Sequence, residues 1–357
     1  MGAAAFIIAE FMHVSYILVV IAAIIPTFLY FATVYFMVDI EAEKEGIARI
    51  EKSRLPQVRE VLKRGWHLLL TLVVLVALLV IGYTPMMAGF WAIIALVILS
   101  FVSASTRMSP VDIFAALESG VRSAMPVTIA CACAGIIIGS IFVSGLGLKF
   151  TNSVIEISGG FLFLLLVLTA IAAIILGMGM TTTAVYITVA ALIVPSLIEI
   201  GVKPMAAHLF AFYFGVVSSI TPPVALASFA AAAISGARPM ATAVESARIG
   251  IAKYIVPFVF VYNPSLLFEG PLWMTALSTA MGLAGLWGLS MALEGWCKGP
   301  LSGAMRPVIA VISLALLLPP NLSLFGVLPG YVFTGAGLLG LGLFVLRRYH
   351  YPRAAQA

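Results

Sequence analysis

The chain has 357 residues, of which 63% are hydrophobic and 9% are charged, and its formal net charge is +5. Soluble globular domains are about 45–50% apolar and about 25% charged, so this composition excludes a soluble protein and indicates an integral membrane protein. Several runs reach the roughly 20 apolar residues that a helix needs to cross a bilayer, and they are solidly apolar, which predicts a polytopic all-α protein. The basic residues lie mainly in loops, where they indicate membrane topology and no binding of nucleic acid.

The first part of the chain predicts membrane helices on either side of one charged stretch. Segment 39–65 carries seven basic residues, which favours a cytoplasmic position. Its apolar residues have nearly helical spacing, so an interfacial helix and a solvated linker are equally compatible with it. Apolar runs predict helices over about 14–37, 66–83, 86–104 and 126–148, with a short amphipathic helix at 109–126.

The middle of the chain interrupts its apolar runs twice. Two helical arms, 161–176 and 183–200, flank the sequence GMGMTTT, which predicts a re-entrant hairpin entering from outside. The next helix, 207–220, breaks at TPP (221–223) and resumes at 224–236. Because a bilayer penalises unpaired backbone groups, such breaks persist only inside protein or beside a wet cavity.

Both breaks offer neutral oxygen atoms. Glycine permits a turn after Leu176, and the threonines 181–183 add hydroxyl groups. Pro222 and Pro223 remove two amide donors, beside the hydroxyls of the sequence SSIT. Many neutral oxygens suit Na⁺, and the half-helices that follow offer positive ends to a carboxylate. The alternative for each motif alone is a packing notch or a kink.

The last part of the chain predicts four further helices, over about 250–268, 272–294, 306–320 and 326–346. The sequence around 2–31 weakly resembles 226–262, in the opposite predicted orientation, which is a feature of inverted repeats but is equally compatible with chance. Cys131, Cys133 and Cys297 form no metal-ligand pattern. No catalytic motif such as HExxH or GxSxG is present, so an enzyme is disfavoured.

The block from GMGMTTTAVY to SGARPM (177–240) and the segment ALESGVRSAMPVTIACACAGIIIG (116–139) resemble the large membrane subunit of tripartite ATP-independent periplasmic (TRAP) transporters. The resemblance is closest to the TAXI-type fused permeases and covers nearly all of 1–270. It implies an elevator-type fold with inverted repeats, and Na⁺-driven import of organic anions across the bacterial inner membrane. It also implies a periplasmic TAXI-type substrate-binding protein, a small membrane subunit, and no cofactor besides the coupling ion.

The resemblance assigns the ion site to both breaks. The Na⁺-binding residues that it implies are Gly177, Gly179, Thr181, Thr182, Ser218, Ser219, Thr221 and Pro222. The residues expected to contact substrate are Thr182, Thr183, Thr221 and Pro223. The family usually has proline where this chain has Thr181, so the tip of the hairpin departs from the family pattern.

The resemblance also predicts how the chain is divided. The first hairpin and its double-proline break are expected to precede Met1, which makes the chain the C-terminal part of a longer permease with a truncated first repeat. The alternative function is a fragment with a structural or assembly role and no transport activity alone. The predicted parts are the end of the first repeat (1–38), the charged segment (39–65), scaffold helices and linker (66–125), the second repeat (126–268, with its hairpin at 160–200 and broken helix at 206–235) and C-terminal helices (269–357).

Overall fold

The structure, a computed structural model, describes residues 4–47, 58–103, 106–178, 180, 182–318, 337, 340 and 342. Within these ranges the regular structure is helical, with no strand and one isolated bridge between Trp296 and Pro300. The prediction of an all-α fold is therefore confirmed. The chain forms two compact units, Met1–Val20 with Ala48–Gly135, and Ile21–Ile47 with Ile136–Ala357.

The first unit is built on a pair of packed apolar helices, α3 and α4. Thr84 caps α4, since its Oγ1 accepts a hydrogen bond from the Met87 amide at 3.4 Å, and Pro85 occupies the first helical position. The helices of this part of the chain are α1 (Ala4–Met12), α2 (Tyr16–Lys44, shared with the second unit), α3 (Val58–Ile81), α4 (Pro85–Ser100) and α5 (Pro110–Ser144, also shared).

Two expectations for this part are corrected. Helix α5 runs unbroken through the point near residue 126 where two helices were predicted to meet. Proline is tolerated inside membrane helices, so Pro126 was a poor sign of a helix end. Helices α2 and α3 extend into segment 39–65 from both sides. Residues 48–57 lie outside the described part, so the interfacial helix and the linker both remain predictions.

The second unit is organised around α8 and α9. Helix α8 contacts α6, α7 and α9, and α9 also contacts α7 and α12. The buried side chains of Tyr186, Phe210 and Phe214 fill the space between these helices. The elements are α6 (Leu146–Ser158), α7 (Leu162–Gly177), α8 (Thr182–Glu199), α9 (Pro204–Val217), a 3₁₀ turn (Ser218–Ile220), α10 (Leu226–Ser235), α11 (Pro239–Ile249), α12 (Ala252–Tyr262), a second 3₁₀ turn (Pro264–Leu267), α13 (Leu272–Glu294) and α14 (Met305–Leu317).

The structure bears out the interrupted helices and adds two that the sequence did not predict. The arms of the hairpin are α7 and α8, and the broken helix is α9 with α10. Helices α6 and α11 are additional, and segment 250–268 is divided between α12 and a 3₁₀ turn. Most of the predicted helix 326–346 lies outside the described residues.

Three of the described helices are long and apolar enough to cross a membrane, namely α2, α8 and α13. Helices α4, α7, α9, α10 and α14 are apolar but shorter. The apolar window of α8 is 61% buried, against 39% for α2, so protein covers more of α8 than of α2. The protein is thus a polytopic helical membrane protein in which the broken helices lie inside the second unit.

Candidate functional site

The two helix breaks meet in the interior of the second unit. Helix α7 ends at Gly177, and α9 ends at Val217. The hydroxyl of Ser218 donates a hydrogen bond to the Gly177 carbonyl at 2.9 Å, although the residues are 41 apart in sequence. Ser218 is buried, so this bond is shielded from solvent. Two segments that the sequence marked separately therefore form one structural site.

Glycine at position 177 is required by this contact. A Cβ atom on Gly177 would lie 2.7 Å from the carbonyl oxygen of Gly215 and 2.8 Å from Oγ of Ser218. A backbone oxygen cannot move away as the end of a long side chain can. The backbones of α7 and α9 thus approach as closely as they do because position 177 has no side chain.

The hydroxyls at the second break donate hydrogen bonds to backbone carbonyls. Oγ of Ser218 lies 2.9 Å from the Gly177 carbonyl oxygen and 2.7 Å from that of Gly215, so the two carbonyls share its one proton. Ser219 donates to Val216 O at 2.8 Å. Thr221 donates to the Val217 carbonyl at 2.7 Å. Each hydroxyl has one proton and two lone pairs, so these bonds leave oxygen lone pairs available as acceptors.

Tyr254, on α12, is a site residue that the sequence analysis missed. Its Oη lies 2.6 Å from Oγ1 of Thr221. Since Thr221 gives its own proton to Val217, the phenol is the donor, and it holds the threonine oxygen in place. Tyr254 lies 33 residues after Thr221 and belongs to neither motif, so only the packing of α12 on α9 reveals it.

The remaining predicted site residues have different surroundings. Gly179 and Thr181 lie outside the described residues. At the start of α8, Thr182 is exposed and Thr183 is buried, so neighbouring hydroxyls reach different environments. Pro222 is half-buried and Pro223 is exposed, and the peptide bond between them is cis.

A buried polar pair joins α8 to α9. The hydroxyl of Tyr186 and Nδ1 of His208 are 2.7 Å apart, and both side chains are buried. The bond satisfies two polar groups that would otherwise be costly in an apolar interior.

The site is rich in neutral oxygen donors and close to helix ends. Among residues 4–47, 58–103, 106–178 and 182–318, no cluster of three or more His, Cys, Asp or Glu side chains is arranged to hold a metal ion. The donors that the breaks do offer are hydroxyl and carbonyl oxygens, the ligands that hard cations prefer. The arrangement therefore offers several neutral oxygen atoms as ligands for a small cation.

Residues 1–270 match the family model described as Tripartite ATP-independent periplasmic transporter, DctM component. The chain belongs to this family. Both breaks and helices α1 to α12 lie within the matched residues. The comparison with curated proteins returns no match, and neither does the comparison with solved structures.

Family membership establishes the general activity. A DctM component is a membrane permease of a TRAP secondary transporter, and the family is one of transporter components and not of enzymes. DctM components work with a periplasmic binding protein and a small membrane subunit. The contact between the two breaks is thus the candidate translocation site of a transporter component.

Proposed function

We propose that this DctM component couples the entry of Na⁺ to the import of organic anions, and that Na⁺ binds where the two breaks meet. The observation that carries the proposal is the bond from Ser218 to Gly177, which joins two interrupted helices in a buried place. Secondary transporters build ion and substrate sites from discontinuous helices of this kind.

The electrostatics of the helix ends favour a cation. Helices α7 and α9 both end at this contact, and the C-terminal end of a helix carries a partial negative charge of about half an elementary charge. The lone pairs on Ser218, Ser219 and Thr221 add ligands without adding charge. The proposed Na⁺ ligands in the first break are backbone and hydroxyl oxygens from Gly177 to Thr182.

The helices that follow the breaks favour an anion. Helix α8 begins at Thr182, directly after the first break, and α10 begins shortly after the second. The N-terminal ends of helices attract carboxylates through free amide groups and the helix dipole. We propose that a substrate carboxylate contacts Thr182, Thr183, Thr221 and Pro223. Bound Na⁺ would add attraction for the anion, so the two ligands would bind cooperatively.

The wider transport cycle is proposed from the family resemblance. A TAXI-type periplasmic protein would deliver the organic anion, and the permease would act in the bacterial inner membrane. The second repeat, residues 126–268, would carry the hairpin and broken helix across the membrane in an elevator movement. The close packing of α7, α8, α9 and α12 supports a body that could move as one piece.

The test is uptake of radiolabelled lactate, succinate and glutarate into proteoliposomes that contain the full chain, its small subunit and its binding protein. An inward Na⁺ gradient should drive uptake of at least one carboxylate, and an equal K⁺ gradient should not. Uptake that is indifferent to the Na⁺ gradient would contradict the proposal.

A pair of matched serine variants locates the ion site. Ser218→Ala removes a buried hydroxyl at the break, and Ser196→Ala removes a buried hydroxyl that bonds Ile193 O at 2.7 Å inside α8. Both variants lose a bond to a carbonyl three residues earlier, but only the first loses the contact with Gly177. The Na⁺ concentration for half-maximal uptake should rise for Ser218→Ala alone.

A further inference from the structure

Three helix ends of the second unit bring a set of charged side chains together, which we call the charged cluster. Nη1 of Arg248 lies 2.7 Å from Oε2 of Glu294, and Nη2 of Arg248 lies 2.6 Å from Oε1 of Glu245. Lys44 and Glu41 pair at 3.1 Å on α2. The cluster thus contains three carboxyl groups, those of Glu41, Glu245 and Glu294, and the cations of Lys44 and Arg248.

Glu294 is the buried member of the charged cluster. Its side chain has no exposed surface, and Arg248 donates a hydrogen bond to its Oε2 atom only. The other oxygen, Oε1, is also buried and has no hydrogen-bond donor. The same helix ends contribute apolar residues to a buried core, among them Ile40 and Met291. A carboxylate oxygen without a donor in such surroundings is strongly disfavoured.

A second carboxyl group, that of Glu41, contacts the same arginine as Glu294. Oε2 of Glu41, on α2, lies 3.5 Å from Nη2 of Arg248 and 3.1 Å from Nζ of Lys44. The same two cations flank Oε2 of Glu294, at 2.7 Å and 4.0 Å. Two carboxylates held by the same cations repel each other, and one proton shared between them turns the repulsion into a hydrogen bond.

We propose that Glu41 and Glu294 form a proton-binding site that holds one shared proton. A shared proton removes one negative charge from the pair and provides a hydrogen bond to a carboxyl group that otherwise keeps a buried oxygen without a donor. The charged groups that face this pair come from every helix end packed around it. They are Lys44 on α2, Glu245 and Arg248 on α11 and, at the start of α14, Arg306, whose guanidinium donates to the carbonyls of Ala292 and Leu293.

The proton site is physically connected to the second helix break. Arg248 lies near the end of α11, and Gly250 follows that end directly. A Cβ atom on Gly250 would lie 2.6 Å from Cδ1 of Ile220, so the chain here packs tightly against the break. Loss of the shared proton would leave Glu41 and Glu294, which both contact Arg248, repelling each other. The position of α11, and with it the break, would then depend on pH.

Infrared spectroscopy of the full chain in lipid nanodiscs tests the site without Na⁺ or substrate, so failure of the Na⁺ proposal would not affect the result. At neutral pH the wild type should show the carbonyl stretching band of a buried protonated carboxylic acid, which disappears as the pH is raised. Glu294→Gln and Glu41→Gln should each abolish the band, because the two carboxyl groups share one proton. Glutamine keeps a hydrogen-bond donor between the two side chains, so both variants should fold.

Glu43→Gln is the matched control, because Glu43 forms an ion pair with Lys298 at 2.9 Å that is partly exposed. This variant should keep the band and its dependence on pH. The absence of a protonated-acid band from the folded wild type at neutral pH would overturn the proposal. A band that persists in both Glu294→Gln and Glu41→Gln would also overturn it.

Discussion

Replacement of Gly177 by alanine tests the contact on which the candidate site depends. The added Cβ atom would lie 2.7 Å from the Gly215 carbonyl oxygen, about 0.7 Å closer than ordinary contact. Helices α7 and α9 must separate by a comparable distance, which lengthens the 2.9 Å bond from Ser218 beyond the roughly 3.2 Å limit of a good hydrogen bond. Overpacking of this kind costs about 1–3 kcal/mol, and loss of the bond adds about 1 kcal/mol.

The expected result is a weaker Na⁺ site as well as a less stable protein. Because the substitution displaces proposed Na⁺ ligands on both sides of the contact, we expect the Na⁺ affinity of Gly177→Ala to fall about tenfold, the equivalent of about 1.4 kcal/mol. The assay is the Tm of the full chain in nanodiscs, titrated with NaCl against KCl at constant ionic strength. A bound ion stabilises by RT ln(1 + [Na⁺]/Kd), so the titration gives the affinity.

Gly89→Ala is the control for this substitution. Gly89 lies within α4, and an added Cβ atom there would have no neighbour within 4 Å. Alanine at that position should leave the Na⁺ dependence of Tm unchanged. The reasoning is refuted if Gly177→Ala retains both the Tm and the Na⁺ affinity of the wild type.

Two further substitutions probe hydrogen bonds that only the structure reveals. Tyr254→Phe removes the hydrogen-bond donor to Thr221, so we expect the Na⁺ affinity to fall about fivefold, the equivalent of about 1 kcal/mol. The Tm in KCl should stay near that of the wild type. An unchanged Na⁺ affinity would show that the phenol does not position the threonine oxygen. Tyr186→Phe leaves a buried nitrogen of His208 without its partner, so we expect a loss of about 1–3 kcal/mol in unfolding free energy and little change in Na⁺ affinity. Chemical denaturation of the reconstituted chain measures that loss, and wild-type stability would contradict it.

The sequence alone was sufficient to predict the structure where a residue restricts the backbone conformation of its own neighbours. Glycine at the end of α7 and the double proline after α9 act on their own neighbours, so both breaks could be located from the residues alone. Helix α13 likewise has the predicted bounds, because a long apolar run between turn residues forms a single helix in a membrane.

Contacts between distant residues could not be predicted in this way. Nothing within the GMG motif indicates that Gly177 needs space for the backbone of Gly215, since that depends on how α7 packs against α9. Tyr254 and His208 are ordinary residues of apolar helices until the fold supplies their partners. The charged cluster is another such case, because its carboxyl groups come from helix ends about 250 residues apart in the chain.

Helix α11 was missed although a local signal was present. Pro239 occupies its first helical position, where proline is over-represented. The sequence analysis used the basic residues of the loops only as indicators of membrane topology. Charge indicates the side of the membrane, and it does not exclude a helix on that side.

Direct binding of radioactive Na⁺ to the purified full chain in nanodiscs tests the central claim, that the two helix breaks together form the ion site. The account predicts saturable binding that unlabelled Na⁺ displaces and K⁺ does not, strongly weakened in Ser218→Ala and retained in Ser196→Ala. Saturable binding of equal affinity in both variants would place the ion elsewhere, and the absence of saturable binding to the wild type would contradict the account.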